Sequence, residues 1–324
     1  MKIALLINRE NFEKFSQWKE NGWELIHMGN GAPETEAVIK TGAQVIVADA
    51  ITKISAEIIE NMPGLKLVHS QGVAFNGIDI EAARNKGIFA CNCAGANAKP
   101  VAEHTVLLIL ALLKGFRPNE DMIYEHRQME AKMACFAEGL PELFGRKVGI
   151  VGFGAIGKEL AVILNAFGCE LCYYDMIKAD PDKYDIKYSP FEELLASCDI
   201  VTIHTPVTPE TTNMINAGTL KLFKRGAILI NTARGELMDH DAVAEALRSG
   251  QLGGLGADTL APEPYLPDNP ILKLLAGETK KRIALSPHIA GITAGFFGRA
   301  YTRIGLNIEA VQRGERPQCI VNGL

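Results

Sequence analysis

The stretch "RKVGIVGFGAIGK", residues 146–158, constrains the chain more than any other. An apolar run ends at Gly152, and a helical pattern begins after Gly154. Gly152, Gly154 and Gly157 form a G-x-G-x-x-G spacing. That spacing is weak alone, but between a strand and a helix it has a mechanical reading. Gly152 permits the tight turn, Gly154 lets a pyrophosphate approach the backbone, and Gly157 lets the helix pack closely on a sheet. Amides near Ala155 and Ile156 would face phosphates at a helix N-terminus. Asp175 ends the next strand pattern, 18 residues beyond Gly157. A carboxylate there accepts hydrogen bonds from both hydroxyls of an adenosine ribose. This favours NAD over NADP, whose phosphate would meet a like charge, with Lys178 the nearest following cation. A turn that only closes a βα unit is the weaker reading, with strand, glycines, helix and acid all in place.

Strand-like and helix-like segments alternate around this unit, so the fold class is α/β, with parallel sheets flanked by helices. In the first part, strands are expected at "KIALLI" (2–7), 43–49, 65–72 and 87–93, with helices near 52–62 and 78–86. "KPVAEHTVLLILALLKGF", 99–116, reads as one long helix with Pro100 in its first turn. The charged stretch 117–140 is expected to continue helically with an exposed face. A second series has strands at 147–151, 170–175, 199–206, 227–233, 252–258 and 282–287. Its helices lie near 155–167, 191–197, 240–250 and 291–313. The last helix is long enough to return to the first part. Two Rossmann-like domains are therefore expected. A split, flavodoxin-like substrate domain (1–98 plus 291–324) carries an inserted NAD-binding Rossmann domain (99–290).

The 324-residue length suits about two domains. A net charge of −5 gives no support for nucleic-acid binding, which usually needs a basic face. The opening "MKIALLINRE" lacks the pattern of a cleaved leader. The longest apolar run, "VLLILALL", is eight residues, too short to span a bilayer as a helix. A soluble, cytoplasmic protein without membrane or nucleic-acid partners is expected. Seven cysteines with scattered spacing argue against a disulfide framework. Cys169 and Cys172 form a C-x-x-C, but "CELCYYD" reads as a strand, on which residues three apart face opposite sides. They are expected to be reduced structural thiols. His27, His69, His104, His126 and His240 have no partners at metal-ligand spacing, so no metal is expected. There is no H-E-x-x-H and no G-x-S-x-G.

In open α/β sheets, ligands bind beyond the carboxyl ends of the strands. The groups at those ends are informative here. His204, Thr205 and Pro206 follow "DIVTI"; Thr232, Ala233 and Arg234 follow "AILIN"; Asp258 follows "GGLGA", with Glu263 five residues on; His288 follows "RIALSP". Singly, each has a plain reading: Arg234 in a surface ion pair, Glu263 as a solvated loop charge, His288 packed. Together, beside a dinucleotide turn, they fit hydride transfer to a 2-keto acid. Arginine offers a planar double donor to a carboxylate. Histidine can donate a proton to the carbonyl oxygen as it gains charge. An adjacent carboxylate holds one ring nitrogen and favours the imidazolium. A structural or backbone-positioning role is expected for His204.

The chain resembles the D-isomer-specific 2-hydroxyacid dehydrogenase family. The resemblance is carried by "GVAFNGIDIEAARNKGI", "VAEHTVLLILALL", "KVGIVGFGAIGK", "HTPVTPETTNMIN", "INTARGELMD", "GADTLAPEPY" and "SPHIAG". It implies NAD as cofactor, with Arg234, Glu263 and His288 as the catalytic set. It implies cofactor contacts from Ala155, Ile156, Asp175, Thr205, Thr232, Ala233 and Asp258, the last near the carboxamide. Val101 would border the nicotinamide, and Gly291 belongs to the same motif edge as His288. The glycine turn at Gly72 and Val73 would offer amides to the substrate carboxylate. Family members are commonly dimers joined through a stretch corresponding to about 100–140, so a homodimer through the NAD-binding domain is expected, with no regulatory domain beyond residue 324. Some relatives act instead as NAD-sensing corepressors, a binding function that the same triplet does not exclude. Formate-type relatives pair the histidine with glutamine, which Glu263 disfavours; phosphite-type relatives can keep the triplet.

Overall fold

A computed structural model of the chain describes residues 1–18, 22–31, 34–178 and 183–324. It divides into two compact units, Met1–Asn97 with Ile292–Leu324, and Ala98–Gly291.

The first unit holds strands β1 (Lys2–Leu6), β2 (Glu24–His27), β3 (Val45–Ala48), β4 (Leu67–Ser70) and β5 (Phe89–Cys91). They form a parallel sheet in the order β2-β1-β3-β4-β5, the flavodoxin-like winding. Side-chain alternation builds a core on each face. Ala4, Leu6, Ile46, Ala48 and Val68 enter one cluster. Ile3, Leu5, Val45, Val47 and Leu67 enter the other, against the C-terminal helix Ala294–Gln312. That helix starts at its cap, where Thr293 accepts a hydrogen bond from the Phe296 amide, rather than at 291. The expected helices are shorter for the same reason. Ser55 caps Ala56–Glu60, and Asp79 caps Ile80–Asn85. β2 was not expected. Its four residues are half-buried or exposed at a sheet edge, too short and too polar to give a periodic signal.

The second unit holds β6 (Lys147–Val151), β7 (Glu170–Tyr174), β8 (Lys187–Tyr188), β9 (Ile200–Ile203), β10 (Ala227–Asn231), β11 (Leu252–Ala257) and β12 (Ile283–Leu285). They form a parallel sheet in the order β12-β11-β10-β9-β6-β7-β8. Its strands β6 to β11 follow the dinucleotide-binding 3-2-1-4-5-6 winding, with β12 added outside. The chain reverses direction across the sheet between β6 and β9. "KVGIV" is buried on both faces after its first residue, as a central parallel strand must be. The expected long helix ends at Leu113. Two further helices, Phe116–Tyr124 and Gln128–Glu138, follow it. His126, at a positive φ of 61°, breaks the run between them. Cys172 packs in one core cluster and Cys169 against the other, and all seven cysteines are free.

Candidate active site

Gly152 sits at the end of β6 with φ +93°. A Cβ there would lie 2.7 Å from the His204 carbonyl carbon, and one at Gly157 would lie 2.5 Å from the Gly152 oxygen. Only glycine allows the turn, the crossing beside β9 and the close helix at once. At Gly154 a Cβ would meet no protein atom within 4 Å, so the backbone faces open space. The helix Ala155–Ala166 begins there without a side-chain cap. Its first amides, at Ala155, Ile156 and Gly157, are donors for an anion. Asp175 braces the same turn: its carboxylate accepts from the Phe153 amide (2.7 Å) and the Ile177 amide (3.1 Å). Each oxygen keeps a lone pair for a ribose hydroxyl. These residues fit a dinucleotide.

His204 continues the β9 edge, its amide donating to the Val151 oxygen at 2.7 Å. Both ring nitrogens are buried without a hydrogen-bond partner among the described residues. Burial pushes the imidazole down to about 3, so the ring is neutral at physiological pH. Thr205 Oγ1 reaches Met214 Sδ, and the Pro206 oxygen accepts from Thr211 Oγ1.

At the end of β10, Asn231 shapes the turn that presents Arg234. Asn231 Oδ1 accepts the Ala233 amide (3.0 Å), and Asn231 Nδ2 donates to the Arg234 oxygen (2.8 Å). The guanidinium spends one N–H on the Ala233 oxygen at 2.7 Å. Among the described residues it forms no ion pair. Asn231 was not among the expected site residues, although a polar amide closing the apolar run "AILIN" was the signal for it, and it is fully buried. Thr232 is buried beside it.

Glu263 and His288 meet. His288 Nδ1 lies 2.7 Å from Oε1 and 2.9 Å from Oε2 of Glu263. A carboxylate only accepts, so Nδ1 carries a proton and Nε2 is left for other partners. His288 adopts φ +56°, and its amide donates to the Asp258 oxygen at 2.8 Å. Asp258 is buried, its carboxylate occupied by the Ile289 amide (3.0 Å), the Ala290 amide (2.9 Å) and Ser286 Oγ (2.5 Å). Gly291 closes this unit, and Val101 is buried in the helix Ala98–Leu113. Among the described residues Arg234 makes no hydrogen bond to Glu263 or His288, but the next residue, Gly235, runs so close to the Leu260–Ala261 backbone that a Cβ there would meet it, and Ala261 stands two residues before Glu263. In the other unit, the Gly72 amide donates to Ser70 Oγ (3.2 Å), and the Val73 oxygen accepts from Asn92 Nδ2. No group of three His, Cys, Asp or Glu among the described residues is placed to hold a metal ion. No helix among them is long and apolar enough to cross a membrane.

A glycine turn at the switch point of a Rossmann-ordered sheet, with a carboxylate-held imidazole two strands beyond β10 on the same edge, defines a class: the dinucleotide-dependent oxidoreductases. Comparison with known proteins narrows it. Residues 106–290 match the family model for the D-isomer specific 2-hydroxyacid dehydrogenase NAD-binding domain. The chain is 32% identical to a glyoxylate reductase of Korarchaeum cryptofilum, over 99% of this chain and 96% of that protein. Among solved structures it is similar to D-2-hydroxyisocaproate dehydrogenase, at 27% identity and a TM-score of 0.86, covering 100% of both chains. It is also similar to a D-lactate dehydrogenase of Aquifex aeolicus complexed with NAD and lactic acid, at 27% identity and a TM-score of 0.80, covering 97% of this chain and 96% of that one. The chain belongs to the D-isomer specific 2-hydroxyacid dehydrogenase family. It is an NAD-dependent oxidoreductase interconverting a 2-hydroxy acid and its 2-keto acid.

Proposed function

We propose that Arg234, Glu263 and His288 are the catalytic set for reversible reduction of a small 2-keto acid. The contact of Glu263 with His288 Nδ1 carries this reading. It fixes which nitrogen holds the ring and leaves Nε2 to move the proton. When bound, NAD supplies or takes up the hydride. His288 gives its Nε2 proton to the keto oxygen as that oxygen gains charge, and takes it back in the reverse direction. Such acid–base help contributes roughly 10²–10⁴ in rate. Arg234, with most of its fork uncommitted, binds the substrate carboxylate. Within the first unit, the Gly72 turn offers the Val73 amide, which has no partner among the described residues, as a donor for a carboxylate.

NAD is held by the amides of Ala155, Ile156 and Gly157, by Asp175 at the ribose, and along the strand edge by His204, Thr205, Pro206, Thr232, Ala233, Asp258, Gly291 and Val101. The carboxylate of Asp175 supports preference for NAD over NADP. A glyoxylate reductase relative and a structural neighbour holding lactic acid support a short side chain on the substrate. The chain acts as a homodimer through the segment after residue 100. Exposed apolar side chains there support this: Phe136 (82%), Tyr124 (74%), Phe116 (63%) and Met129 (62%). Seven free thiols suit a reducing, cytoplasmic setting.

Loss of NADH absorbance with a panel of 2-keto acids, graded in side-chain size and charge, tests the reading. At least one short keto acid should be reduced, and His288→Asn should nearly abolish the reaction. Tight NADH binding with no turnover on any keto acid would favour a cofactor-sensing role instead. Light scattering of Phe136→Glu against the parent tests the dimer.

A further inference from the structure

The helix Ala98–Leu113 lies along β11 in a matched register. A Cβ at Gly254 would lie 3.5 Å from Leu112 Cδ2, and one at Gly256 would lie 3.0 Å from Leu108 Cβ. The third step of both series pairs His104 with Asp258, with Nε2 3.6 Å from Oδ1. Positions 112, 108 and 104 fall four apart on the helix, and 254, 256 and 258 two apart along β11 and the residue that follows it. Four helical residues rise about 6 Å and two strand residues about 6.6 Å, so the stripes stay in step. Gly256 lets the helix approach closely, whereas a Cβ at Gly254 would be an ordinary contact with Leu112. At the third position polar groups fill the space.

Their hydrogen atoms can be assigned by counting. Both Asp258 oxygens accept backbone amides, Oδ1 from Ile289 and Oδ2 from Ala290. Ser286 Oγ donates its single proton to Asp258 Oδ1. The 2.7 Å contact between Ser286 Oγ and His104 Nε2 is therefore donated by the imidazole. The chain of donors runs His104, Ser286, Asp258. It ends on the backbone turn that contains His288, which holds a left-handed conformation at φ +56°. A side chain other than glycine keeps that conformation only where its surroundings enforce it. Here the Asp258 carboxylate gathers Ser286, Ile289 and Ala290 around it.

We propose that His104 is a positioning residue for the proton donor: through Ser286 and Asp258 it sets the turn that aims His288. This rests on the reading of His288 as proton donor. His104→Leu fills the space but cannot donate, and His104→Gln restores a donor. Hydrogen exchange on the protein without ligand reads the turn directly. Loss of the donor should speed exchange of the 286–291 amides about tenfold in His104→Leu and in Ser286→Ala, and less in His104→Gln. The 147–151 amides should stay protected. In turnover, kcat should fall at least about tenfold in His104→Leu, with keto-acid KM and NADH affinity nearly unchanged. The primary isotope effect from deuterated NADH should rise, which loss of folded protein alone would not cause. Unchanged exchange at 286–291 in His104→Leu would overturn the proposal. So would unchanged kcat where His288→Asn is inactive. If the parent turns over no keto acid, or His288→Asn keeps its activity, the catalytic reading fails while the exchange result still decides the turn.

Discussion

His288 Nδ1 and Glu263 Oε1 stand 2.7 Å apart, although 25 residues separate them in the chain. The contact orients the imidazole and leaves one ring nitrogen to exchange a proton. Glu263→Ala removes the acceptor at Nδ1 and leaves the ring free to turn. Keto-acid reduction should then slow by about tenfold or more, because the ring no longer holds Nε2 toward the substrate, while NADH affinity hardly changes. Single-turnover kinetics with an unchanged rate in Glu263→Ala would remove the carboxylate from this role.

Arg234→Ala should lower kcat/KM for the keto acid by roughly a hundredfold, the loss of about 3 kcal/mol of charge-assisted hydrogen bonding. NADH affinity should hardly change, because among the described residues the side chain bonds only the neighbouring Ala233 oxygen. Steady-state kinetics beside a fluorescence titration of NADH checks both halves. An unaltered KM and kcat would place the carboxylate elsewhere.

Asp175→Ala removes the acceptor for the Phe153 and Ile177 amides as well as for a ribose. NADH should bind about tenfold or more weakly, from one or two lost hydrogen bonds to a charged group. NADPH should lose less, because a like charge leaves with the carboxylate. Equal losses for the two cofactors, read by calorimetry, would contradict a ribose contact.

Gly152→Ala should unfold the second unit at lower temperature. Its Cβ would sit 2.7 Å from the His204 backbone at φ +93°. The strain of a left-handed non-glycine residue alone is about 1–2 kcal/mol, or several degrees in Tm. Calorimetry finding an unchanged Tm would mean that the turn adapts.

Acid should weaken the first unit through His69. Burial pushes this imidazole down to about 4. Nδ1 donates to the Ser70 oxygen (2.8 Å), and Nε2 accepts from Asn307 Nδ2 (2.9 Å), so the neutral ring fits. An unfolded histidine titrates near 6.5. Between about 4 and 6.5 the unfolded chain thus binds a proton that the native chain does not, and stability falls as pH falls through that window. Tm measured across the window should fall less steeply in His69→Gln. Identical slopes would show that the ring does not govern it.

Much of the second unit was legible because its strands are long apolar runs with sharp ends. "KVGIV" and the helix Phe191–Ser197 have the expected bounds. β2 and the two-residue β8 were not, since neither is long enough to show a period. His104 looked idle among the histidines because its partners, Ser286 and Asp258, lie 182 and 154 residues away.

The amino-acid order alone determined the local acts: where an apolar run must stop, that only glycine serves at 152, and that an acid follows the next strand. Those depend on neighbours within a turn or a strand. The tertiary structure decided which strand ends stand side by side, and with them the meeting of Glu263 with His288 and of His104 with Asp258. Sheet order and helix register set those distances, and both come from packing between segments that are remote in the chain.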